Sequence, residues 1–466
     1  MSERKDKFPT GWTTCRLGDA LTLINGRAYS RHEMLSAGTP ILRIQNLNGG
    51  KNWFYSNLNL PPDKYCNAGD LLFAWSATFG PYWWRGPKAI FHYHIWNVLP
   101  SPLMGREFAF YELMRITSDL KRSAHGVAMP HITKGGMEAW DIMLPPPSEQ
   151  KRIADKLEAV LGRVDACRAR LDRVPALLKR FRQSVLAAAT TGKLTEEWRE
   201  TNKNVPAAEM LVKKQKFSIT ETDENLPTLP ARWMWVALGD YAQCSRGRFS
   251  PRPRNDPRYF NGEHAFIQIG DLPREGGLVS THTQTLNNEG LAVSKKFPKG
   301  TVVIAIVGAT IGNTGILAYD MCATDSIVGL ETGIAFGNRY IELFLRSRKD
   351  AIRQISYASG GQPNINLATL NPYPLPLPPL PEQQEIVRRV EALFAIADRI
   401  EARLATARKT VERLTPATLA KAFRGELVPQ DPNDEPASAI LERLHAQSDP
   451  AAAKPKRGRG AKSTSA

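Results

Sequence analysis

The chain has 466 residues, of which 42% are hydrophobic and 23% charged, and a formal net charge of +16. This length predicts two or three domains, and the composition is typical of folded globular proteins rather than disordered or fibrous ones. The positive charge favours a polyanionic partner. A basic tail contributes only part of it, because the net charge is still +11 without the cations Lys454, Lys456, Arg457, Arg459 and Lys462.

The cysteine pattern indicates a reducing compartment. Five cysteines lie far apart without a CxxC pair, so neither a disulfide framework nor a zinc motif is predicted. No apolar run approaches the ~18 residues that a membrane span needs. We therefore expect a cytoplasmic protein that is not embedded in a membrane.

The sequence repeats itself. Segments that begin at Pro130 and Pro363 align without a gap, at an offset of 233 residues, as far as Leu194 and Leu427. Upstream the similarity is looser, but Trp12 has a counterpart in Trp233. A period this long indicates tandem domains rather than a solenoid. The parts between the shared positions have diverged, so each copy is expected to read something different.

Each copy contains both strand and helix patterns. Short runs of β-branched and aromatic residues, such as Leu71–Trp75 and Thr301–Val307, predict strands. The apolar spacing of Phe108–Arg122 and Arg339–Ser356 predicts helices. Each domain is therefore predicted to be mixed α and β.

A heptad pattern follows each domain. Apolar residues recur at alternating steps of four and three, which predicts two helices of about forty residues, ~60 Å long, that pack on each other. The predicted seam residues are Ile153, Leu157, Val164, Leu171, Leu178, Ile386, Val390, Ile400, Leu404 and Val411. An antiparallel pair would place one domain at each end, although the linker is long enough for either orientation. Pro175 predicts a bend near Val174.

Catalytic motifs are missing from the sequence. Gly308–Gly315 is one residue too short for a phosphate loop, and Asn313 stands where that loop needs lysine. Asn371-Pro372-Tyr373-Pro374 has no accompanying glycine-rich cofactor loop, so a methyltransferase site is not predicted. His92 and His94 have no further ligand nearby in the sequence to complete a metal site. The prediction is a chain with no catalytic residues, no metal and no cofactor of its own.

Several loops carry side chains that suit nucleic acid. Arg, Gln and Asn can make paired hydrogen bonds to base edges, and Thr and Lys can bind phosphate. The candidate DNA-binding residues are Arg43, Gln45, Asn46, Trp75, Thr78, His131, Thr133, Lys134, Gln268, Asp271, Thr310, Asn313, Gln362, Asn364 and Asn366. For each of them a structural role in a turn is an equal alternative. The cluster of Trp75, Tyr82, Trp83 and Trp84 is interpreted as domain core rather than a stacking platform.

Two repeated motifs carry a family resemblance. Leu144–Ile153 reads LPPPSEQKRI and Leu377–Ile386 reads LPPLPEQQEI, and a heptad helix follows each. Gly192-Lys193-Leu194 and Gly425-Glu426-Leu427 then follow the helices. With these motifs the chain resembles the specificity subunits of Type I restriction-modification enzymes, up to about Leu444.

The resemblance implies an α+β fold with two tandem mixed α/β target-recognition domains, separated by two long helices that form an antiparallel coiled coil. It divides the chain into recognition domain 1 (8–145), spacer helix 1 (146–194), a linker with a short helix (195–230), recognition domain 2 (231–378), spacer helix 2 (379–427), a short C-terminal helix (428–450) and a disordered basic tail (451–466). The short repeated elements 205–211 and 435–441 are expected to dock a partner or the opposite half.

The function implied is DNA recognition without catalysis. Each domain would read one half of a bipartite asymmetric site in double-stranded DNA, and the coiled coil would set the spacing and dock the modification subunits, expected to be two. S-adenosylmethionine, ATP and Mg chemistry would belong to those subunits and to a restriction subunit. The alternatives are a self-contained restriction enzyme and a coiled-coil scaffold without sequence-specific DNA binding.

Overall fold

A computed structural model describes residues 9–123, 133–212, 215–219, 226–358 and 364–448. The chain forms two compact units that do not follow the two sequence repeats. Unit 1 contains Met1–Asp172 and Thr406–Ala466, and unit 2 contains Arg173–Ala405. Each long helix is therefore divided between the units. The predicted domain limits, which follow the chain rather than these units, stay a prediction.

The first half of the chain alternates short strands with short helices before one long helix. Its strands are β1 Thr13–Arg16, β2 Leu21–Asn25, β3 Thr39–Leu42, β4 Phe54–Ser56, β5 Tyr65–Cys66, β6 Leu71–Ala74, β7 Gly80–Trp83, β8 Ala89–Phe91, β9 Ile95–Pro100 and β10 Asp141–Leu144. Its helices are α1 Leu17–Ala20, α2 Ile44–Leu47, α3 Arg106–Ser123, α4 Lys134–Glu138 and α5 Pro147–Thr190. The strand predicted around Leu71 and the helix predicted around Phe108 are both confirmed.

The second half follows the same order after a short helix and a 3₁₀ turn, which are α6 Glu196–Thr201 and Ala208–Leu211. Its strands are β11 Met234–Ala237, β12 Gln243–Arg246, β13 Phe260–Ile267, β14 Leu278–Val279, β15 Gln284–Leu286, β16 Lys295–Phe297, β17 Val302–Ala305, β18 Thr314–Leu317, β19 Met321–Ala323, β20 Ile327–Glu331 and β21 Pro374–Leu377. Its further helices are α7 Leu238–Tyr241, α8 Asn288–Val293, α9 Ala335–Ser347, α10 Lys349–Ala358, α11 Leu367–Leu370, α12 Leu380–Ala422 and α13 Ala437–Ser448.

The two repeats share one sheet topology. In unit 1 the strand orders are β2-β9-β6-β7 and β4-β3-β8-β5, and in unit 2 they are β12-β20-β17-β18-β14 and β15-β13-β19-β16. Each repeat also pairs its first strand with its last, β1 with β10 and β11 with β21. Most pairs are antiparallel, but β3 with β8, β13 with β19 and β14 with β18 are parallel. The predicted mixed α and β domains are confirmed, and β14 is an addition in the second repeat.

The long helices run antiparallel. In unit 2 the Arg182 guanidinium contacts the Asp398 carboxylate at 2.6 Å, whereas Arg389 donates to the backbone oxygen of Leu194 at 2.8 Å, so residue numbers rise along α5 as they fall along α12. In unit 1 the Arg408 guanidinium contacts Asp172 at 3.0 Å. Helices of 44 and 43 residues match the predicted length. Helix α5 continues through Pro175, and the bend near Val174 stays a prediction.

Most of the predicted seam is buried. Ile153, Leu157, Val164, Leu178, Ile386, Val390 and Leu404 are buried, and Leu171 and Val411 are half-buried. Ile400 is a correction, because its side chain is 42% exposed, whereas Ala397 beside it is fully buried. The same stretch of the two helices also exposes Leu177, Phe181 and Ile396, so the seam is less tightly covered there.

A buried tryptophan–glutamate contact ties the first strand of each repeat to the start of its long helix. The indole Nε1 of Trp12 donates to Glu149 Oε2 at 3.0 Å, and that of Trp233 donates to Glu382 Oε2 at 2.8 Å. Both carboxylates are 1% exposed. The glutamates of the two Glu-Gln motifs therefore have the same role in both repeats.

The two glutamates differ in their remaining partners. Glu382 Oε1 accepts from Thr195 Oγ1 at 2.7 Å and from the Arg199 guanidinium at 2.6 Å. Glu149 Oε1 is buried and has no hydrogen-bond partner among the described residues. Burial accordingly raises the pKa of Glu149 above its ordinary value.

The adjacent glutamines hold the helix start in place. The Gln150 amide donates to the backbone oxygens of Leu103 and Pro145, at 2.8 and 2.9 Å. The Gln383 amide donates to the Pro378 backbone oxygen at 2.9 Å, and its oxygen accepts from the Tyr241 hydroxyl at 2.9 Å. Replacement of either glutamine by an apolar residue would leave these buried partner atoms without a hydrogen bond, which is unfavourable.

The end of each long helix packs against the start of a repeat. Gly192, at φ 77°, lies so near Pro230 that a Cβ would come within 2.4 Å of the proline Cγ. Gly425, at φ 71°, lies equally near Pro9, at 2.5 Å. Left-handed backbone and close approach both require glycine here. The first contact is inside unit 2 and the second inside unit 1, so α12 ends at the beginning of the first repeat.

The short repeated elements after the helices also pack inside the units. The Ala437 amide, at the start of α13, donates to the Gly11 backbone oxygen at 3.0 Å, and the Ala208 amide donates to the Arg232 oxygen at 3.2 Å. Ile440, Leu441 and Leu444 of α13 pack on the main core of unit 1. One of the two predicted roles, docking on the other repeat, is therefore confirmed for α13. The predicted tail at 451–466 lies outside the described residues.

A first prediction compares two neighbouring seam positions. Leu404→Ala is expected to lower the free energy of unfolding by about 2–5 kcal/mol, because Leu404 is 7% exposed and its removal leaves a cavity. Ile400→Ala, at a side chain that is 42% exposed, should cost less than about 1 kcal/mol. Chemical denaturation of both variants measures the difference. Equal losses would contradict the observed register.

A second prediction compares the two buried glutamates. Glu149→Gln retains an acceptor for Trp12 without a buried charge, so at pH 7 it is expected to be as stable as the parent chain or more stable. Glu382→Gln removes the charge that Arg199 contacts and should cost about 1–3 kcal/mol. Denaturation followed by tryptophan fluorescence measures both.

The pH dependence of the Glu149 variant follows from the sign of the pKa change. Because the folded-state pKa of Glu149 is raised, its contribution to stability is complete below the ordinary pKa of 4.5 and is lost as the pH rises through the folded-state value. The advantage of Glu149→Gln should therefore shrink as the pH falls towards 4.5. An advantage that is constant over this range would show that Glu149 is not the group responsible.

Candidate nucleic-acid interface

The first candidate loop follows β3. Its Asn46 side chain is 7% exposed, and its amide donates to the backbone oxygens of Gly50 and Asn52 at 3.2 and 3.0 Å. Its oxygen accepts from the Arg43 backbone amide at 3.2 Å. The polar atoms of Asn46 thus already shape the turn and are turned away from solvent, and its DNA contact stays a prediction.

Arg43 and Gln45 frame the same turn from outside. Both donate to the Asn52 backbone oxygen, at 3.2 and 3.1 Å. The Arg43 guanidinium also lies 4.4 Å from the ring centre of Phe54. Burial lowers the pKa of Arg43, although arginine remains charged at neutral pH. Gln45 is exposed, so it remains available to a ligand.

The second candidate loop of this domain, between β6 and β7, meets the first. Asn48 donates to Thr78 Oγ1 at 2.9 Å, and its oxygen accepts from the Tyr82 hydroxyl at 3.1 Å. The structure therefore brings together the loops that carry Arg43 and Thr78. Both Thr78 and Asn48 are exposed, so this junction is a polar surface.

Aromatic side chains border this surface. Trp75 packs on Trp96 with 5.9 Å between ring centres and donates through Nε1 to the Tyr93 backbone oxygen at 2.8 Å. Trp75 is therefore partly core, as the sequence suggested. Its other neighbours are His94, at 5.1 Å, and Tyr93, at 6.1 Å, and the Tyr93 side chain is 39% exposed. A partly exposed aromatic ring of this kind can stack on a base.

His92 stays neutral near pH 7. Burial lowers its pKa to about 4, with further lowering by His94 and Arg43. A neutral imidazole keeps one acceptor nitrogen and one donor nitrogen. Among the described residues no group of three or more His, Cys, Asp or Glu side chains could hold a metal ion. The paired histidines therefore do not belong to such a cluster.

Two predicted contact residues cap helices at equivalent positions of the repeats. Thr133 Oγ1 accepts from the Gly136 amide at 3.1 Å at the start of α4, and Asn366 Oδ1 accepts from the Thr369 amide at 3.0 Å at the start of α11. Both residues therefore have a structural role, and because both are exposed their DNA contact stays a prediction. Lys134 lies 3.5 Å from Glu138 on the same helix. His131 and Gln362 lie outside the described residues.

The second domain separates its candidates into two places. The Gln268 side-chain amide donates to Gln284 Oε1 at 2.6 Å, and the Gln268 backbone amide donates to Asp271 Oδ2 at 2.8 Å. Both Gln268 and Asp271 therefore belong to the turn after β13. Asn364 forms an isolated antiparallel β-bridge with Val307, which lies next to the loop that contains Thr310. Asn364 is exposed and Thr310 is half-buried.

Asn313 is also buried, and its DNA contact stays a prediction. Its side chain is only 6% exposed, in a segment that runs directly into the buried strand β18. Its backbone oxygen accepts from the Ala305 amide at 2.9 Å, which holds the loop between β17 and β18 closed. The residue is polar in sequence, but the packing of this loop removes it from the surface.

Sequence reasoning missed a repeated Gly-Arg element. Gly26 and Gly247 each follow the second strand of a repeat, and a Cβ on either would lie 2.3 or 2.2 Å from a neighbouring backbone oxygen. The next residues, Arg27 and Arg248, donate their backbone amides to Phe91 and Ala323 at 3.1 and 3.0 Å. Both repeats thus carry an arginine at the same place in the fold, where Arg27 contacts Glu33 at 2.6 Å and Arg248 donates to the Ser294 backbone oxygen at 3.0 Å. The signal in the sequence was a Gly-Arg pair shared by two otherwise divergent loops.

The second repeat extends this element into an arginine-rich loop. With Arg246 at the end of β12, it presents five exposed arginines, which are Arg246, Arg248, Arg252, Arg254 and Arg258. Arg254 contacts Asp325 at 2.8 Å and Arg258 contacts Asp256 at 2.7 Å, so two acids partly offset five cations. Among the described residues, Arg252 donates to backbone oxygens of its own loop, such as Pro251 at 2.8 Å. A net positive exposed loop of this kind is suited to phosphate binding.

Comparison with known proteins agrees with this architecture. Residues 9–175 and 230–407 match the family described as "Type I restriction modification DNA specificity domain". The chain is 29% identical over 456 residues to the Type I restriction enzyme EcoDI specificity subunit of Escherichia coli, covering 95% of this chain and 96% of the relative. It is 28% identical over 464 residues to the EcoBI specificity subunit of the same species, covering 94% and 92%.

Two solved structures share the fold. A chain from a study of complex assembly and conformational transition of the type I R-M system is similar with a TM-score of 0.64 at 20% identity, covering 90% of this chain and 99% of that one. The HsdS subunit from Thermoanaerobacter tengcongensis is similar with a TM-score of 0.56 at 21% identity, covering 91% and 100%. At these identities the likeness concerns the fold.

A third prediction tests the arginine-rich loop. The double variant Arg252→Gln, Arg254→Gln is expected to weaken binding to duplex DNA and to make its salt dependence less steep, by about one unit in the log–log slope for each phosphate that is no longer bound. Binding isotherms at several salt concentrations measure both quantities. Arg424→Gln is the matched control, because Arg424 is similarly exposed but lies at the end of α12 and contacts Glu426. If both variants lose affinity equally, the loop has no special role.

Proposed function

Because the chain belongs to the Type I restriction modification DNA specificity family, which it matches twice, we propose that it directs a modification and restriction complex to one bipartite, asymmetric DNA site. Each domain reads one half of the site. The observation that carries this proposal is the presence of two domains with the same strand order but different loops. A single framework used twice suits two half-sites of the same duplex.

The asymmetry of the site follows from the loops. The first repeat carries Arg27 at the Gly-Arg element and an aromatic border of Trp75 and Tyr93, whereas the second carries a loop of five arginines. Different side chains at equivalent places select different base edges and different duplex shapes. The two half-sites are therefore unequal in sequence.

The antiparallel helices set the distance between the half-sites and dock the modification subunits. The middle of the helices in unit 2 exposes large apolar side chains, which are Leu177, Phe181, Ile396 and Ile400. Exposed apolar side chains that recur on neighbouring helices are typical of protein interfaces. Two modification subunits, one for each repeat, and a restriction subunit complete the assembly.

The chain is the non-catalytic component. S-adenosylmethionine is used by the modification subunits, and ATP and Mg by the restriction subunit, so the chain itself needs no cofactor. Among the described residues no helix is long and apolar enough to cross a bilayer. We place the complex in the cytoplasm, where chromosomal and incoming DNA meet it.

A fourth prediction tests the division of labour. The isolated chain is expected to bind a split DNA site but to transfer no methyl group, because it supplies recognition only. Addition of the cognate modification subunit and S-adenosylmethionine should produce methylation at one bipartite sequence. Methylation mapped by sequencing on a genomic library measures the result.

Two outcomes would contradict the proposal, and each favours a different alternative. Methylation or cleavage by the isolated chain would support a self-contained enzyme. DNA binding that ignores salt and sequence, with no site-specific methylation in the reconstituted complex, would support a scaffold, since a reader that contacts several phosphates loses affinity steeply as salt rises.

A further inference from the structure

Two equivalent cavities lie at the last turns of the long helices, one where α5 meets α10 and the other where α12 meets α3. In unit 2 the second-repeat cavity is lined by Gln183, Leu186 and Thr190 of α5 and by residues around the start of α10. In unit 1 the first-repeat cavity is lined by Pro416, Leu419 and Phe423 of α12 and by residues of α3. The helix residues correspond one to one at the repeat offset of 233, so the cavities are copies of one feature.

The two copies differ in volume. The second-repeat cavity measures about 340 Å³ and the first-repeat cavity about 180 Å³. Phe423 occupies space in the smaller cavity, where its ring packs on Phe108 with 5.3 Å between ring centres. Its counterpart in the larger cavity is the much smaller Thr190. The space that is filled by an aromatic ring in one repeat is open in the other.

The copies also differ in charge compensation. In the first-repeat cavity Arg115 contacts the buried Glu112 and also Asp119, the latter at 2.7 Å. The second-repeat cavity is lined by six cations besides Arg182, which are Lys179, Arg274, Arg346, Arg348, Lys349 and Arg353, and by two acids, Glu275 and Asp350. Within the part of the chain that the structure describes, Arg182 has ion pairs, with Asp398 and Glu401, and none of the six other cations has one.

This excess charge is partly buried. Burial lowers the pKa of Arg346, and the same cause, together with the neighbouring Arg353, lowers the pKa of Lys349. Glu275 interacts electrostatically with both Arg346 and Lys349, but neither cation forms an ion pair with it among the described residues. Partial burial of cations is unfavourable when no ion pair is formed, and a bound anion would offset that cost. Four of the six cations are arginines, whose planar guanidinium matches the oxygens of a phosphate group in pairs.

We propose that the second-repeat cavity binds a phosphate group, supplied either by the DNA backbone or by a free nucleotide or polyphosphate. The first-repeat cavity, which is smaller and charge-compensated, does not. The site is therefore an asymmetric feature of an otherwise repeated framework. It goes beyond the recognition of a DNA sequence, because most of its lining comes from the end of α5 and from the junction of α9 and α10, and only Arg274 and Glu275 come from the loop after β13.

The test is titration calorimetry of the full chain with inorganic pyrophosphate, at an ionic strength held constant with KCl. The double variant Arg346→Gln, Lys349→Gln is expected to lose about ten-fold or more in pyrophosphate affinity, because two charged donors are removed. Arg424→Gln, at the rim of the first-repeat cavity, is the matched control and should bind as the parent chain does. Circular dichroism confirms that each variant is folded.

A second variant tests the shape of the cavity without a change of charge. Thr190→Phe introduces the residue that lines the first-repeat cavity at the equivalent position, Phe423, and is expected to abolish pyrophosphate binding by occupying the space. If this variant does not fold, the charge variant still decides the matter. Pyrophosphate binding that is undetectable in the parent chain, or equal in the parent and the charge variant, overturns the proposal.

A DNA arm identifies the source of the phosphate. If the backbone supplies it, saturating duplex DNA blocks pyrophosphate binding, and the charge variant binds DNA with a shallower salt dependence. If a free phosphate compound supplies it, pyrophosphate and DNA bind together, and the DNA affinity of the charge variant is unchanged. The pyrophosphate arm contains no DNA, so its failure is distinct from a failure of the proposed sequence recognition.

Discussion

The hydrogen bond from a tryptophan indole to a buried carboxylate is the constraint on which each repeat depends. It joins Trp12 to Glu149 and Trp233 to Glu382, and so fixes the first strand of a domain to the first turn of its long helix. A buried carboxylate is unfavourable unless it is partnered, which makes the tryptophan and the glutamate mutually dependent. A helix of more than forty residues whose start is held in this way keeps a defined direction relative to its own domain.

Glycine fixes the other end of each helix. Gly192 and Gly425 leave the helical conformation with positive φ and lie against Pro230 and Pro9, where a side chain would collide. Because Pro9 belongs to the first repeat, the last turn of α12 closes on the beginning of the chain. The same few contacts therefore hold the framework of both repeats. The loops that take no part in these contacts can differ in sequence between the repeats.

The two repeats differ most in the loops and cavities that take no part in these contacts. The loops after the second strands share only Gly26-Arg27 and Gly247-Arg248, because a Cβ at either glycine would meet backbone. Beyond that pair the second repeat has an arginine-rich loop and the first does not. The cavities at the ends of the long helices differ in the same manner, since Phe423 fills one and Thr190 leaves the other open to a cluster of cations.

The sequence by itself determined the repeat, the two long helices, the mixed α and β domains and the family, because periodic apolar positions and the Glu-Gln motifs are local patterns. It placed most of the seam but not Ile400, since the exposure of a seam residue depends on how the facing helix covers it, which the heptad pattern does not contain. Tertiary structure alone decided which polar loop residues are accessible. Asn46 and Asn313 look like contact residues in sequence, yet packing and backbone hydrogen bonds bury them. Burial depends on neighbours distant in the chain, such as those that position the arginines around Thr190, and no spacing rule contains that information.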